Sequence, residues 1–475
     1  MIKALKIVVV AAFLFLLAAI YVLFFRKGEA RVLDKIPMTA TSVMVIDVRG
    51  LSYKLLFDDL GRGSKAIGKL LPDSLRDIDW SANGLGLPDK IALFTLEDSV
   101  DIHAIVPISN AKKFNLFINA IGQKLHSTVA QKGNSKWLFI KNPGLLMAWN
   151  DQFVTCVVTR QNTDKHLGQL IGVLSTKKSQ SILADTCFTN KLSAKYDVLL
   201  YSRPYQECPV KMLKIIHSNM VYCTSLLNFN KGELEIITDL KAKEASVLDK
   251  AFIPLGEEMP CLANTKSSMV NLCLQMDPEA SMKLYHQYKP FDFKPGIPYS
   301  KVWNGRINLA LLGNKTIENE FTTYEYDDNF NKVAVKMRKQ EKTLDIQAIV
   351  GIDKIKNDSI APVKNGLDTL LFAGGNFVMR KAGSYVLIYN KLFTKPAIAP
   401  KTTKNNIELE IDYHRLSPIL KDLGITGKME WLDSIGCEKV TCTAYKKGTI
   451  HVTSRIFFSD KKTNSLKIIS NLNHH

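Results

Sequence analysis

The run VMVID (43–47) is followed at once by VRGLSYKLLFDDL (48–60): an apolar stretch closed by an acid, then an amphipathic helical stretch. The same grammar returns five times. IHAIVPIS (102–109) precedes NAKKFNLFINAIG, and LEIITD (234–239) precedes LKAKEASVLDKAF. VNLCLQMD (270–277) precedes PEASMKLYHQY, IELEID (407–412) precedes YHRLSPILKDLG, and IFFSD (456–460) precedes KKTNSLKIISNL. Asp and Ser are favoured N-caps because their side-chain oxygen accepts a bond from an orphaned helical N–H. Asp47, Ser109, Asp239, Asp277, Asp412 and Asp460 are therefore predicted to be caps rather than a dispersed carboxylate site. Pro278, one residue inside a helix start, fits the same pattern.

Between these junctions lie short strand-like runs. KWLFIKN (136–142), LLMAWN (145–150) and QFVTCVV (152–158) fall in the first half; RINLALLG (306–313), EFTTYEYDD (320–328), KVAVKMRK (332–339) and TLDIQAIV (343–350) fall in the second. Asp327-Asp328-Asn329 reads as a hairpin turn. Neighbouring strands with short turns predict antiparallel sheets with helices packed on a face, an α+β fold. IPMTATSVMVIDVRGL (36–51) is echoed by MPCLANTKSSMVNLCLQMDPEAS (259–281), and KGELEIITDLKAKEASVLDKA (231–251) by KGTIHVTSRIFFSDKKTNSLKII (447–469). The echoes predict two related α+β halves, 36–257 and 258–475, the second a duplication of the first.

Ahead of them, residues 7–25 (IVVVAAFLFLLAAIYVLFF) contain no charge, Gly or Pro. As a helix they are roughly 28 Å long, close to a hydrocarbon core of about 30 Å. That is longer than the apolar region of a cleaved signal peptide, and no Cys follows for lipid attachment. The expectation is a transmembrane anchor over 1–27, a tether over 28–35, and a single-pass inner-membrane protein with a periplasmic body. Lys3 and Lys6 on one side balance Arg26 and Lys27 on the other, so flanking charge does not set the orientation.

With 475 residues, 46% hydrophobic and 23% charged, the chain is neither collagenous, disordered nor a many-span membrane protein. Its net charge is +18, of which +10 falls in 261–475. The densest basic stretch is Lys332, Lys336, Arg338, Lys339 and Lys342, the candidate surface for an anionic lipid or envelope polymer. Nucleic acid is disfavoured, since no binding module is recognisable.

Motifs for chemistry are absent or incomplete. Gly63-x4-Gly68-Lys69 approaches a phosphate-binding loop, but Leu70 stands where Ser or Thr must hold the metal, and a helical stretch precedes it. Ser109–Lys112 and Ser175–Lys178 lack the partner motifs that make such a serine acylating. No histidine pair has ligand spacing, and Asp412 with His414 is the one close Asp–His pair singled out as a catalytic candidate. No catalytic, cofactor or metal-binding residue is assigned. The eight cysteines include no CxxC and are expected as buried thiols, with Cys437–Cys442 the pair best placed to bridge.

Several segments resemble uncharacterised Bacteroidota-type cell-envelope families, usually lipoproteins or membrane-anchored: residues 36–51, HAIVPISNAKKF (103–114), SILADTCFTNKLSAKYDVLLYSR (181–203), EYDDNFNKVAV (325–335) and SDKKTNSLKII (459–469). The resemblance implies an envelope location and carries over no catalytic residue. The expected function is a non-enzymatic, membrane-anchored binding or scaffold protein with an envelope protein partner. The alternative is an envelope hydrolase whose site is too dispersed to see in sequence.

Overall fold

The structure is a computed structural model. It describes residues 31–59, 83–86, 89–96, 101–141, 144–159, 163–204, 218–252, 259–262, 267–288, 303–326, 328, 330–353, 368–372, 375–390, 393, 395–401, 405–422, 433–445 and 448–472. By contacts the chain divides into two units interleaved in sequence: Met1–Glu207 with Tyr222–Lys231 and Thr463–His475, and Cys208–Val221 with Gly232–Lys462.

The first unit contains β1 (Ser42–Asp47), α1 (Val48–Asp59), β2 (Lys90–Thr95), β3 (His103–Pro107) and α2 (Ala111–Lys124). After them come β4 (Ala130–Lys132), β5 (Ser135–Ile140), β6 (Leu145–Trp149), β7 (Phe153–Val158), α3 (Thr163–Ser175), α4 (Thr186–Leu192) and β8 (Val198–Ser202). β9 (Met220–Asn230) joins it from Tyr222 onward. All pairings are antiparallel, in the order β4-β5-β6-β7-β3-β2-β1-β8-β9. β1 is an interior strand between β2 and β8, and its alternation buries Val43 and Val45.

Helix α2 shows why a face of this sheet closes. Phe114, Phe117, Ile118 and Ile121 recur at helical spacing and bury against Leu138, Ile140, Met147, Trp149 and Val154. Each such side chain contributes roughly 1.5–3 kcal/mol on burial. Asn110 starts the helix by accepting from the Lys113 N–H at 3.0 Å, and Asn115 on its inner face accepts the indole N–H of Trp149 at 3.0 Å.

The second unit contains β10 (Glu233–Ala242), α5 (Val247–Ala251), β11 (Met259–Leu262), β12 (Val270–Gln275), α6 (Pro278–Tyr288), β13 (Trp303–Tyr326) and β14 (Lys332–Ile352). It continues with β15 (Asp368–Phe372), β16 (Gly375–Ala382), β17 (Tyr385–Asn390), β18 (Ile398–Lys401), β19 (Ile407–Asp412), α7 (Tyr413–Asp422), β20 (Ile435–Tyr445) and β21 (Thr449–Phe458). α8 (Ser465–Leu472) belongs to the first unit. The antiparallel order is β15-β16-β17-β14-β13-β12-β19-β20-β21-β10, with β11 and β18 paired separately.

Eight consecutive strands of the two orders correspond, leaving β4 in the first and β21 and β10 in the second without a counterpart. β12, β13 and β14 stand where β1, β2 and β3 stand; β15, β16 and β17 match β5, β6 and β7; β19 and β20 match β8 and β9. In both, the interior strand, β1 or β12, returns through a helix to pair with its successor. One pair differs greatly: β2 and β3 have six and five residues, β13 and β14 have 24 and 21.

Three expectations are corrected. The α+β reading with a leading transmembrane helix gives way to a mostly antiparallel sheet protein, 52% strand against 27% helix among the described residues. Part of the reason is visible at Asp239. Strand β10 runs through it to Ala242, held by register with β21 as far as Lys241↔Thr449, and leaves only the five-residue α5 where a longer helix was expected. Secondly, among the described residues no helix is long and apolar enough to cross a membrane. Residues 7–25 lie outside those described, so the single-pass inner-membrane assignment with a periplasmic body is withdrawn. Thirdly, Cys437 and Cys442 are free thiols. Both lie on β20, opposite Asp412 and Ile407, five positions apart along an extended strand, too far to bridge. Burial pushes the Cys442 thiol up to about 12.

The caps are a mixed outcome. Asp47, Asp277 and Asp412 accept from the N–H groups of Gly50, Ala280 and Arg415. The other three junctions are displaced: Asn110, Ser246 and Asn464 do the capping, while Ser109 donates to the carbonyls of Gly84 and Leu85. Asp239 instead faces His451 across the β10–β21 pair at 2.6 Å.

Candidate interaction arm

The inner parts of β13 and β14 are ordinary sheet. Residues 306–311 pair with β12, and 347–351 pair with β17. Beyond a register shift between Leu311 and Gly313, the strands pair only with each other, Gly313↔Asp345 through Tyr326↔Lys332, among the described residues. Fourteen residues at 3.3 Å each give an arm of roughly 45 Å.

Alternation places the basic residues. Lys332, Lys336, Arg338 and Lys342 lie at even positions on one face, and Lys339 lies on the other, so the predicted anionic-contact surface is brought together but for Lys339. All five are exposed. The sequence reading missed what faces them. Arg338 Nε donates to Glu320 at 3.0 Å, Gln340 donates to Glu318, and the Lys332 ammonium stands 6.0 Å from the Tyr324 ring. Tyr324, Tyr326 and Phe330 are 62%, 64% and 86% exposed, and Val333 and Met337 are exposed on the opposite face. The turn is strained: Phe330 has φ +60°. The visible signal was EFTTYEYDD itself, with Tyr324 and Tyr326 at alternate positions on one strand face.

Where the arm leaves the sheet, a cavity of about 240 Å³ is lined by Leu262, Ser267, Ala310, Leu312, Asp345 and Gln347, with Lys395, Pro396 and Ala397. Burial pushes the Asp345 carboxyl up, against a hydrogen bond from Gln347, and its Oδ1 has no protein partner.

The other titratable clusters are built into the sheets. Asp412 and His414 are not brought together as a pair: His414 Nε2 meets Ser459 Oγ at 3.1 Å, while Asp412 caps α7. Among the described residues no group of three His, Cys, Asp or Glu is placed to hold a metal ion. The near phosphate loop at 63–70 lies outside the described residues. His103 is fully buried, stacks on Phe94 at 5.5 Å, and neither ring nitrogen has a protein hydrogen-bond partner. Burial pushes it down to about 4, helped by nearby His166 and opposed by Asp101.

An unfolded histidine titrates near 6.5, so between that pH and about 4 the unfolded chain binds a proton that folded His103 refuses. Stability is present above pH 6.5 and falls through this window, by up to about 3 kcal/mol at pH 4. His103→Phe is expected to flatten that loss, read as hydrogen-exchange protection of β2 and β3 at pH 7 and 4.5. Equal acid losses in both proteins would refute it.

The fold and the arm thus define a class: an antiparallel sheet protein with duplicated strand order and one elongated hairpin. No protein-family model and no curated protein matches the chain. Among solved structures it is similar to TP0453: crystal form I has 12% identity and a TM-score of 0.29, covering 46% of this chain and 82% of that one. Crystal form IV has 10% identity and a TM-score of 0.28, covering 44% and 79%. Likeness of this degree carries no argument about function.

Proposed function

We propose that the protein works by binding, as a scaffold or accessory subunit, and that the β13–β14 arm is its contact surface. The observation that carries this reading is the arm's isolation with its apolar side chains exposed. A two-stranded ribbon is marginally stable in water unless something packs on it, and exposed aromatic clusters of this kind mark interaction sites. The first unit manages its own β2–β3 pair with six and five residues, so closing the sheet does not require the extra length. The matching strand orders support a duplication of 36–257 into 258–475, within which the arm is an elaboration of one copy.

The test is crosslinking in intact cells from a photoreactive residue at Phe330 or Met337, with a control at exposed Lys165 on α3. Discrete crosslinked species are expected from the arm positions only. Replacing 314–342 by a two-residue Asn-Gly turn is expected to abolish them while leaving the far-ultraviolet circular dichroism of a folded sheet protein. Absence of arm-specific products would end the proposal.

A further inference from the structure

The arm's charges are sorted by strand. Along the arm, β13 from Gly313 to Tyr326 carries Lys315 against Glu318, Glu320 and Glu325; β14 from Lys332 to Asp345 carries Lys332, Lys336, Arg338, Lys339 and Lys342 against Glu341 and Asp345. The β13 side is net acidic by two and the β14 side net basic by three, and with Asp327 and Asp328 between them the arm's net charge is −1. An anionic polymer or lipid surface would meet no net attraction. A partner with the same partition would.

We infer that the arm pairs with the arm of a second copy of this chain, the acidic edge of β13 meeting the basic edge of β14. This inference rests on the arm being the contact surface. Hairpin strands run in opposite directions, so a second arm set beside the first in the same plane presents its β14 antiparallel to the first β13. The outward backbone N–H and C=O groups of both edges then find partners. Charged edges normally block such pairing, and here they block the wrong pairings. Two β14 edges would oppose Lys336, Arg338 and Lys342 to themselves, and two β13 edges would oppose Glu318 and Glu320. Only the mixed pairing is attractive. It also continues the face bearing Val333, Val335 and Met337 into a wider apolar surface. The contact is head-to-tail, leaving one edge of each sign free, so assembly proceeds beyond a dimer.

Sedimentation velocity of the full chain tests this. At about 50 mM salt, concentration-dependent dimers and larger species are expected. At about 500 mM salt the association is expected to weaken by about tenfold or more, because exposed charges are screened. Lys336→Glu with Lys339→Glu and Lys342→Glu makes both edges acidic; these positions stand in register with Thr322, Asn319 and Thr316. Glu318→Lys with Glu325→Lys, facing Gln340 and Val333, removes the acidic edge. Each variant alone is expected to remain monomeric. An equimolar mixture is expected to associate again, which a misfolded arm would not do. A monomeric wild type at low salt up to about 100 μM, variants that associate as wild type, or a mixture that stays monomeric overturns the inference. Co-sedimentation with anionic vesicles by a monomeric chain overturns it in favour of a lipid surface. If self-association fails while Phe330 still crosslinks to a different protein, self-pairing falls and the binding reading stands.

Discussion

Replacing Asp185 by Ala is expected to lower the stability of the first unit by about 3–5 kcal/mol, the cost of stripping the partner from a buried ion pair. Asp185 is 8% exposed and serves three groups at once. Its Oδ1 accepts from the Cys187 N–H at 2.8 Å, starting α4. Its Oδ2 accepts from the Tyr201 hydroxyl and the Arg203 guanidinium. Arg203 also donates to the Met38 carbonyl at 2.8 Å, so the cluster ties β8 to the segment before β1. Burial alone would raise the carboxyl, but the bonds from Tyr201, Arg203 and Cys187 and the Arg203 charge outweigh it and hold it below the usual range. The group therefore stabilises the fold above the ordinary carboxylate pKa of about 3.9, and that stability is lost as pH falls through the lower folded value. Tyr201→Phe removes two bonds, the one the hydroxyl donates to Asp185 and the one it accepts from Arg203 Nε, and is expected to cost about 1–3 kcal/mol. Hydrogen exchange of the β8 amides reads both. A change under about 1 kcal/mol for Asp185→Ala would mean that the cluster is solvated decoration.

Gly305→Ala is expected to cost the second unit about 2–5 kcal/mol. Gly305 has φ +91°, and a Cβ built there would lie 1.8 Å from the Met276 carbonyl oxygen. The two backbones are held together because the Met276 N–H donates to the Gly305 carbonyl at 2.9 Å. An L side chain at positive φ costs about 1–2 kcal/mol, and displacing a neighbour in a packed site adds about 1–3 kcal/mol. The position matters to the arm because it starts the strand from which the arm extends. Exchange protection of β12 and inner β13 should fall together, with weaker crosslinking from Phe330. Unchanged protection there would show that the backbone yields at little cost.

The echo of 231–251 in 447–469 illustrates what local sequence carries. Both segments become a strand, β10 and β21, followed by a short helix, α5 and α8. The junction rule held at Asp47, Asp277 and Asp412, where the acid directly precedes the helix. It failed at Asp239, where strand register outlasts the capping signal, and at Ser109 and Asp460, where an Asn downstream takes the role. The basic residues of the candidate surface were legible as a strand face. The pairing of Arg338 with Glu320 was not, because that acid lies 18 positions away and meets the base only through hairpin register.

Alternation and turn residues alone determined that this chain makes antiparallel strands, with a hairpin turning near Asp327–Asn329, because those signals act between near neighbours. Tertiary structure alone decided how far each strand runs, which thiols stay apart, and that one hairpin outgrows its sheet. Those outcomes depend on which distant strand lies alongside: β12 and β17 stop beside the inner halves of β13 and β14, and beyond them the ribbon has only itself.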